Sequence, residues 1–241
     1  MAQTIVIASG KGGVGKSTIT AGLGRALSDM GKKTLLVDCD AGLGALDTLL
    51  GCGENAAFTW LDVFSGGCEP AQAIIKINDF LSVTPAPVTL PDTGSDDAVR
   101  LFVNAVSPAF DVILIDAPAG IGSGLTRAAS AAKFGIVVAT GDEISVKGAA
   151  AVDKKLTKAG VVSTRLIINR YELKAAKKGR LLSVDKMIDL SYVRLIGIVP
   201  EDKNLKYHST LKKNSPAFGA FERISKRILG ENTPLTLSLL K

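Results

Sequence analysis

Residues 4–30 read TIVIASGKGGVGKSTITAGLGRALSDM, and the order of parts within them decides the architecture. An apolar run, TIVIAS, leads into nine residues, GKGGVGKST at Gly10–Thr18. The chain leaves them through a segment of helical spacing from Lys16 to Met30 that Gly31 stops. The nine residues satisfy G-x-x-x-x-G-K-[ST] through Gly10, Gly15, Lys16 and Ser17. Glycines let the backbone turn tightly, so that its N–H groups point inward and cradle phosphate oxygens. The helix that follows starts there and turns its positive end to the anion. Lys16 can reach the β- and γ-phosphates, and the Ser17 hydroxyl can ligate Mg2+. The candidate nucleotide-binding segment is therefore Gly10, Lys11, Gly12, Gly13, Val14, Gly15, Lys16, Ser17 and Thr18.

Six further apolar runs repeat the pattern: TLLVD (34–38), FLSVTPA (80–86), DVILIDA (111–117), GIVVAT (135–140), TRLIINR (164–170) and VRLIGIVP (193–200). They are rich in Val, Ile and Leu with little alternation, as expected of strands covered on both faces. Helical spacing lies between them. One helix has Ser95 as its candidate N-cap, with Val99, Phe102, Ala105 and Val106 on one face; another runs from about Pro216 to Leu229 and is closed by Gly230. This alternation predicts an α/β fold: a doubly wound, mostly parallel sheet of about seven or eight strands with helices on both faces, in one domain over residues 1–241. The least readable stretch is 50–75, where GCGEN and SGGCEP punctuate a short apolar segment.

Composition removes several function classes. Three cysteines (Cys39, Cys52, Cys68) with no CxxC pair argue against a disulfide scaffold, a zinc ribbon and a Cys-ligated cluster, and fit a reducing cytosol. Aromatic residues at 5% weaken any reading built on base-stacking platforms. No apolar run reaches the roughly 18 residues a membrane span needs. The amino terminus lacks a basic region before its apolar stretch, so a soluble intracellular protein is expected. A net charge of +6 raises nucleic acid and anionic membrane as partners without choosing between them.

A bound Mg·ATP needs acidic groups at the carboxyl ends of neighbouring strands, where doubly wound sheets hold their ligands. TLLVDCDAGLGALD supplies Asp38 and Asp40, and DVILIDAPAGIG supplies Asp116 after four apolar residues. In IINRY (167–171), Asn169 ends a strand with an amide that can both donate and accept at an adenine edge. His208 is the only histidine, and no Ser–His or Cys–His constellation offers a competing nucleophile.

Lys11 adds a second cation to a loop that already has its phosphate lysine. With KGGVGKST around it, the loop resembles the deviant Walker A loop of the MinD/ParA family. D-x-D-x-G-L from Asp38 resembles that family's switch I, and D-x-P-A-G from Asp116 its switch II. The glycine and SVDxxxxL pattern around 179–190, GRLLSVDKMIDL, followed by LIGIVPED (195–202), looks like the MinD branch. The resemblance covers nearly the whole chain and implies a P-loop ATPase of the SIMIBI type that uses ATP/ADP and Mg2+. Carried over by position, the catalytic set is Lys11, Lys16 and Asp40. Lys11 would reach the phosphates of the other subunit in an ATP-dependent homodimer, and Asp40 would activate the attacking water. The metal set is Ser17, Asp38 and Asp116, with Asp116 acting through water and Asp38 supporting either the metal site or the loop. The backbone around Pro118–Gly120 would sense the γ-phosphate. Asn169 would contact the adenine, with Pro200 and Asp202 flanking it.

The resemblance further implies slow hydrolysis stimulated by a regulatory partner protein, with cell-division site selection as output. DNA segregation or flagellar placement are alternative outputs of the same engine. A small-molecule ligase or kinase of the dethiobiotin-synthetase sort shares such a sheet but gives Lys11 no role. The carboxyl end departs from the MinD pattern of a basic amphipathic membrane helix. In AFGAFERISKRIL (217–229), Phe218, Phe221, Ile224 and Ile228 form a stripe with Arg223, Lys226 and Arg227 off it, which predicts a core-packing helix. The tail with Leu235, Leu237 and Leu239 is short and has one lysine, a weak anchor for peripheral contact at the inner face of the plasma membrane. Basic clusters at Lys174, Lys177, Lys178 and Arg180, and at Lys203, Lys206, Lys212 and Lys213, allow non-specific DNA binding as a less favoured alternative.

Overall fold

A computed structural model describes residues 1–42, 44–53, 57–90, 97–203, 205 and 215–235. Eight strands form one sheet: β1 (Gln3–Ala8), β2 (Thr34–Asp38), β3 (Ile75–Lys76), β4 (Leu81–Thr84), β5 (Val112–Asp116), β6 (Phe134–Ala139), β7 (Ser163–Tyr171) and β8 (Leu195–Pro200). Their order is β3-β4-β2-β5-β1-β6-β7-β8, parallel except for β3, which pairs antiparallel with β4 at the edge. All seven expected strands are present. The eighth, β3, is two residues long and has no periodicity for a sequence to show.

Successive strand residues serve two different cores. Val6, Ala8, Leu35, Val37, Ile113 and Ile115 face one side, packed with α4 (Ala98–Val106), α5 (Ser123–Ser130), α6 (Glu143–Lys158) and α8 (Val184–Ser191). Ile5, Ile7, Leu36, Val112 and Leu114 face the other, packed with α1 (Lys16–Asp29), α2 (Leu46–Leu50) and α9 (Pro216–Ile228). Burial on both faces explains why the strands read as continuous apolar runs. The expected cap at Ser95 lies outside the described residues. In the stretch 50–75, Trp60–Phe64 forms α3 behind a capping box of Thr59 and Asp62, and Pro70–Ala73 a 3-10 turn. After β7 a short helix, α7, spans Leu173–Lys177 ahead of α8.

The stripe on α9 is core. Phe218, Phe221, Ile224 and Ile228 are all buried, and Phe221 comes so close to α1 that a Cβ on Gly22 would lie 2.5 Å from its ring. Arg227 ties the chain that follows it to β8, donating to the carbonyls of Thr233 (2.9 Å) and Pro234 (2.6 Å) and to that of Ile196 on β8 (2.8 Å). No helix among the described residues is long and apolar enough to cross a membrane. Leu237, Leu239, His208, Lys206, Lys212 and Lys213 lie outside the described residues.

The strand order reverses at β1: the chain leaves it for β2 on one side, and later crosses from β5 to β6 on its other side. The carboxyl end of β1 is therefore the switch point, where such sheets open a crevice for ligand.

Candidate functional site

The glycine-rich loop sits in that crevice, between the end of β1 and the start of α1. Gly15 precedes the helix at φ +90, a left-handed conformation that only glycine adopts without strain. Gly10 packs against α6 so closely that a Cβ there would lie 2.6 Å from the backbone of Gly148. Beside the loop opens a cavity of about 580 Å3, lined among others by Ser9, Gly12, Gly13, Gly15, Lys16, Ser17, Thr18 and Asp40. The Ser9 hydroxyl is buried without a hydrogen-bond partner among the described residues. An orphaned donor at the root of a loop full of inward N–H groups suits an anionic ligand.

Lys16 is folded inward. Its ammonium stands 2.9 Å from Asp116 Oδ1, with the two side chains 6% and 0% exposed. Ser17 Oγ donates to Asp116 Oδ2 (2.6 Å), and Thr20 Oγ1 donates to Asp116 Oδ1 (3.0 Å). Burial pushes the Asp116 carboxyl above its ordinary range, opposed by Lys16, Ser17 and Thr20. Asp38 is the register neighbour of Asp116 across β2 and β5. Burial, then the charge of Asp116, raise its pKa from 3.8 to about 6, against three backbone N–H groups that lower it. Those donors are Asp40 N on Oδ1 (2.9 Å), and Ala45 N (3.0 Å) and Leu46 N (3.1 Å) on Oδ2. Asp38 thus organises the loop that carries Asp40. Trp60 Nε1 donates to the Asp38 carbonyl (2.8 Å) and holds the same strand end from below.

The donor set fits Mg2+. The Ser17 hydroxyl and the Asp116 carboxylate are hard oxygen ligands that face each other beside the phosphate cavity, and Mg2+ takes few protein ligands, keeping water and substrate oxygens. Among the described residues no three His, Cys, Asp or Glu side chains gather into a protein-only metal cage. Asp40 lines the cavity, and no hydrogen bond occupies its carboxylate among the described residues. In switch II, the Gly120 N–H donates to the Ser9 carbonyl (2.8 Å), so the segment is docked against the root of the loop.

Asn169, Pro200 and Asp202 line a second cavity beside the first, with Gly15, Thr18, Arg170, Glu201 and Leu205. Asn169 is 4% exposed, and its Nδ2 donates to the Val14 carbonyl (2.8 Å). Lys11 is not among the residues lining either cavity. Its side chain is 53% exposed, and its ammonium lies 3.9 Å from Asp142 Oδ1. Burial raises the Asp142 carboxyl, but hydrogen bonds from Thr140 and the Ser145 N–H, with the charge of Lys11, bring it below its ordinary range.

Four participants had no sequence signal strong enough to find them. Thr20 lies one helical turn after Lys16, and that spacing is its only sign. Asp142 caps α6 far from Lys11 in the chain. Ser9 looks like the end of a strand. Arg170 sits at φ +55 where β7 slips register against β8, a feature of strand pairing and not of residue type.

A doubly wound sheet with this loop at its switch point, a buried Lys–Asp pair and a free carboxylate beside the phosphate cavity defines a P-loop nucleotide-binding ATPase. Residues 5–213 match the model of the CobQ/CobB/MinD/ParA nucleotide binding domain, and the chain belongs to that family. It is 35% identical to the septum site-determining protein MinD of Bacillus subtilis, over 98% of this chain and 92% of that one. With MinD of Helicobacter pylori it shares 36% identity, over 96% and 92%. Among solved structures it superposes on the MinC:MinD cell division protein complex of Aquifex aeolicus at TM-score 0.89, with 33% identity and 98% of each chain covered. On MinD of Pyrococcus horikoshii complexed with Mg-ADP the TM-score is 0.83, with 28% identity over 95% and 96%.

Proposed function

We propose that this ATPase dimerises face to face on Mg·ATP, dissociates after hydrolysis, and uses the cycle to select a division site. Lys11 carries the proposal. A loop that already commits Lys16 to its own cavity presents a second, half-exposed cation outside that cavity, where it can serve phosphates bound by another copy.

The groups of the chain suit the steps. Incoming phosphates attract the Lys16 ammonium away from Asp116, which frees that carboxylate and Ser17 Oγ to hold Mg2+. When bound, Mg2+ neutralises charge on the β- and γ-phosphate oxygens. Asp40, at the cavity edge and with no hydrogen bond on its carboxylate among the described residues, orients the attacking water. Lys11 must leave Asp142 to cross the interface, and closure of the second subunit excludes solvent from the γ-phosphate. Positioning and charge stabilisation do the work, so turnover is slow until a partner completes the geometry. The Aquifex aeolicus MinC:MinD pair supports a regulatory protein docking on the dimer. Because Phe218, Phe221, Ile224 and Ile228 are buried, the apolar stripe of α9 packs in the core and is not offered to lipid.

Light scattering tests the dimer. The Asp40→Ala variant with Mg·ATP should double the monomer mass of 25.0 kDa, and a monomer in every nucleotide state refutes the proposal. Lys11→Ala should bind nucleotide yet neither dimerise nor hydrolyse it. Pelleting with anionic liposomes or with DNA, each with ATP, separates division-site placement from DNA segregation.

A further inference from the structure

Asn169 does two things at once. It lines the cavity next to the phosphate site, and it reaches 155 positions back along the chain to bind the loop's own backbone, with Nδ2 on Val14 O at 2.8 Å. The packing is tight: a Cβ on Gly15 would overlap the Asn169 amide nitrogen. In a trans peptide the carbonyl and the N–H that follows it point in opposite directions. Holding the Val14 carbonyl against β7 therefore aims the Gly15 N–H away from Asn169, toward the phosphate cavity that Gly15 lines. That N–H donates to no group among the described residues. Without a fixed partner the Val14–Gly15 peptide would rotate with little resistance, because Gly15 has no Cβ to hinder it.

The strand is shaped to make this contact. Ile167 faces the α1 core and Ile168 the opposite one, so the two-residue period of β7 puts Asn169 on the α1 side, under the loop, just before the strand slips register against β8 at Arg170. Because Val14 supplies an acceptor, the amide must present its nitrogen there, which leaves Oδ1 for a ligand. A base amino group donating to Oδ1 polarises the amide and strengthens the bond to Val14.

We propose that Asn169 is a positioning residue for phosphate binding: it locks the Val14–Gly15 peptide so that the Gly15 N–H faces the phosphates, and it passes base occupancy on to the loop. This rests on the nucleotide site described above, in which the sequence gives Asn169 only a base contact. The probe that separates the two roles is inorganic tripolyphosphate with Mg2+, which has phosphates and no base. By titration calorimetry on the full chain, Asn169→Ala should weaken tripolyphosphate binding about tenfold, the loss of one buried hydrogen bond. Asn169→Asp should weaken it further, since a carboxylate oxygen would face the Val14 carbonyl. An Asn169→Ala variant that loses ATP affinity but binds tripolyphosphate as the parent does overturns the proposal. Ile167→Ala, at a buried core position of the same strand, should lower the melting temperature without moving the tripolyphosphate Kd; an equal loss there reduces Asn169 to general support and also overturns it. Lys16→Ala should lose both probes, and full retention of both would instead refute the phosphate site itself. Should the Asn169 variants fail to fold, the unsubstituted ATP-bound protein decides. A through-hydrogen-bond NMR coupling between Asn169 Nδ2 and the Val14 carbonyl carbon is expected, and its absence overturns the proposal.

Discussion

Replacing Lys16 by methionine should destabilise the nucleotide-free protein, and by an amount that depends on pH. The ammonium sits 2.9 Å from a carboxylate that is fully buried, so the substitution leaves Asp116 without its counter-charge. Breaking a buried pair by removing one partner costs about 3–5 kcal/mol when the remaining group stays charged. Asp116 has an escape, which is to take up a proton. Burial already raises its pKa, and the Lys16 interactions that oppose the rise are the ones removed. Asp38, the adjacent carboxyl at about 6, adds repulsion of the same sign. A group whose folded pKa is raised contributes stability that is present at low pH and lost as pH climbs through the folded value. Lys16→Met should therefore cost little near pH 5 and the full amount near pH 8. For a chain of this length that difference amounts to roughly 6–20 °C in melting temperature. Urea and thermal unfolding of both proteins at the two pH values, without nucleotide, provide the measurement. A destabilisation equal at both pH values would refute the reasoning, because it would not depend on the protonation of Asp116.

Gly10→Ala places a methyl 2.6 Å from the Gly148 backbone, where no flexible side chain can yield; a loss of about 1–3 kcal/mol by denaturant titration is expected, with ATP affinity falling at least tenfold as the loop shifts. Asp142→Asn keeps an acceptor for the Ser145 N–H at the start of α6 but removes the charge that holds Lys11, so stability should change by under about 1 kcal/mol. ATP-dependent self-association of that variant should tighten in sedimentation runs, and unchanged association would mean that Asp142 does not compete for Lys11. Phe221→Ala empties a fully buried site between α9 and α1 and should cost about 3–5 kcal/mol in urea unfolding.

What the sequence disclosed was what repeats or what is chemically dense. The run from Thr4 to Met30 has the period of a strand, then the glycines of a phosphate loop, then the period of a helix, and the structure follows it to within a residue. Asp38, Asp40 and Asp116 were legible because each closes an apolar run. Their division of labour was not: Asp38 is taken up by the backbone N–H groups of Asp40, Ala45 and Leu46, and only the fold brings these three to it. Pairings between distant parts of the chain were equally invisible, among them Lys11 with Asp142, Gly10 with Gly148 and Asn169 with Val14. Short elements escaped for another reason. Five residues at Trp60–Phe64 are too few for a 3.6 period to register, although Thr59 and Asp62 form the capping box that starts them.

Trp60 is the only tryptophan in the chain; it is fully buried, and its indole N–H is bonded to the backbone of Asp38. The protein thus carries a single indole fluorophore, wired to the strand end that arranges the Asp40 loop. Any event that moves that strand end, whether nucleotide arrival, metal loss or subunit separation, alters the field on one indole ring, with no other ring of its kind to dilute the signal. Its emission can be followed in real time on unlabelled protein, which makes the nucleotide cycle optically accessible without touching a single residue.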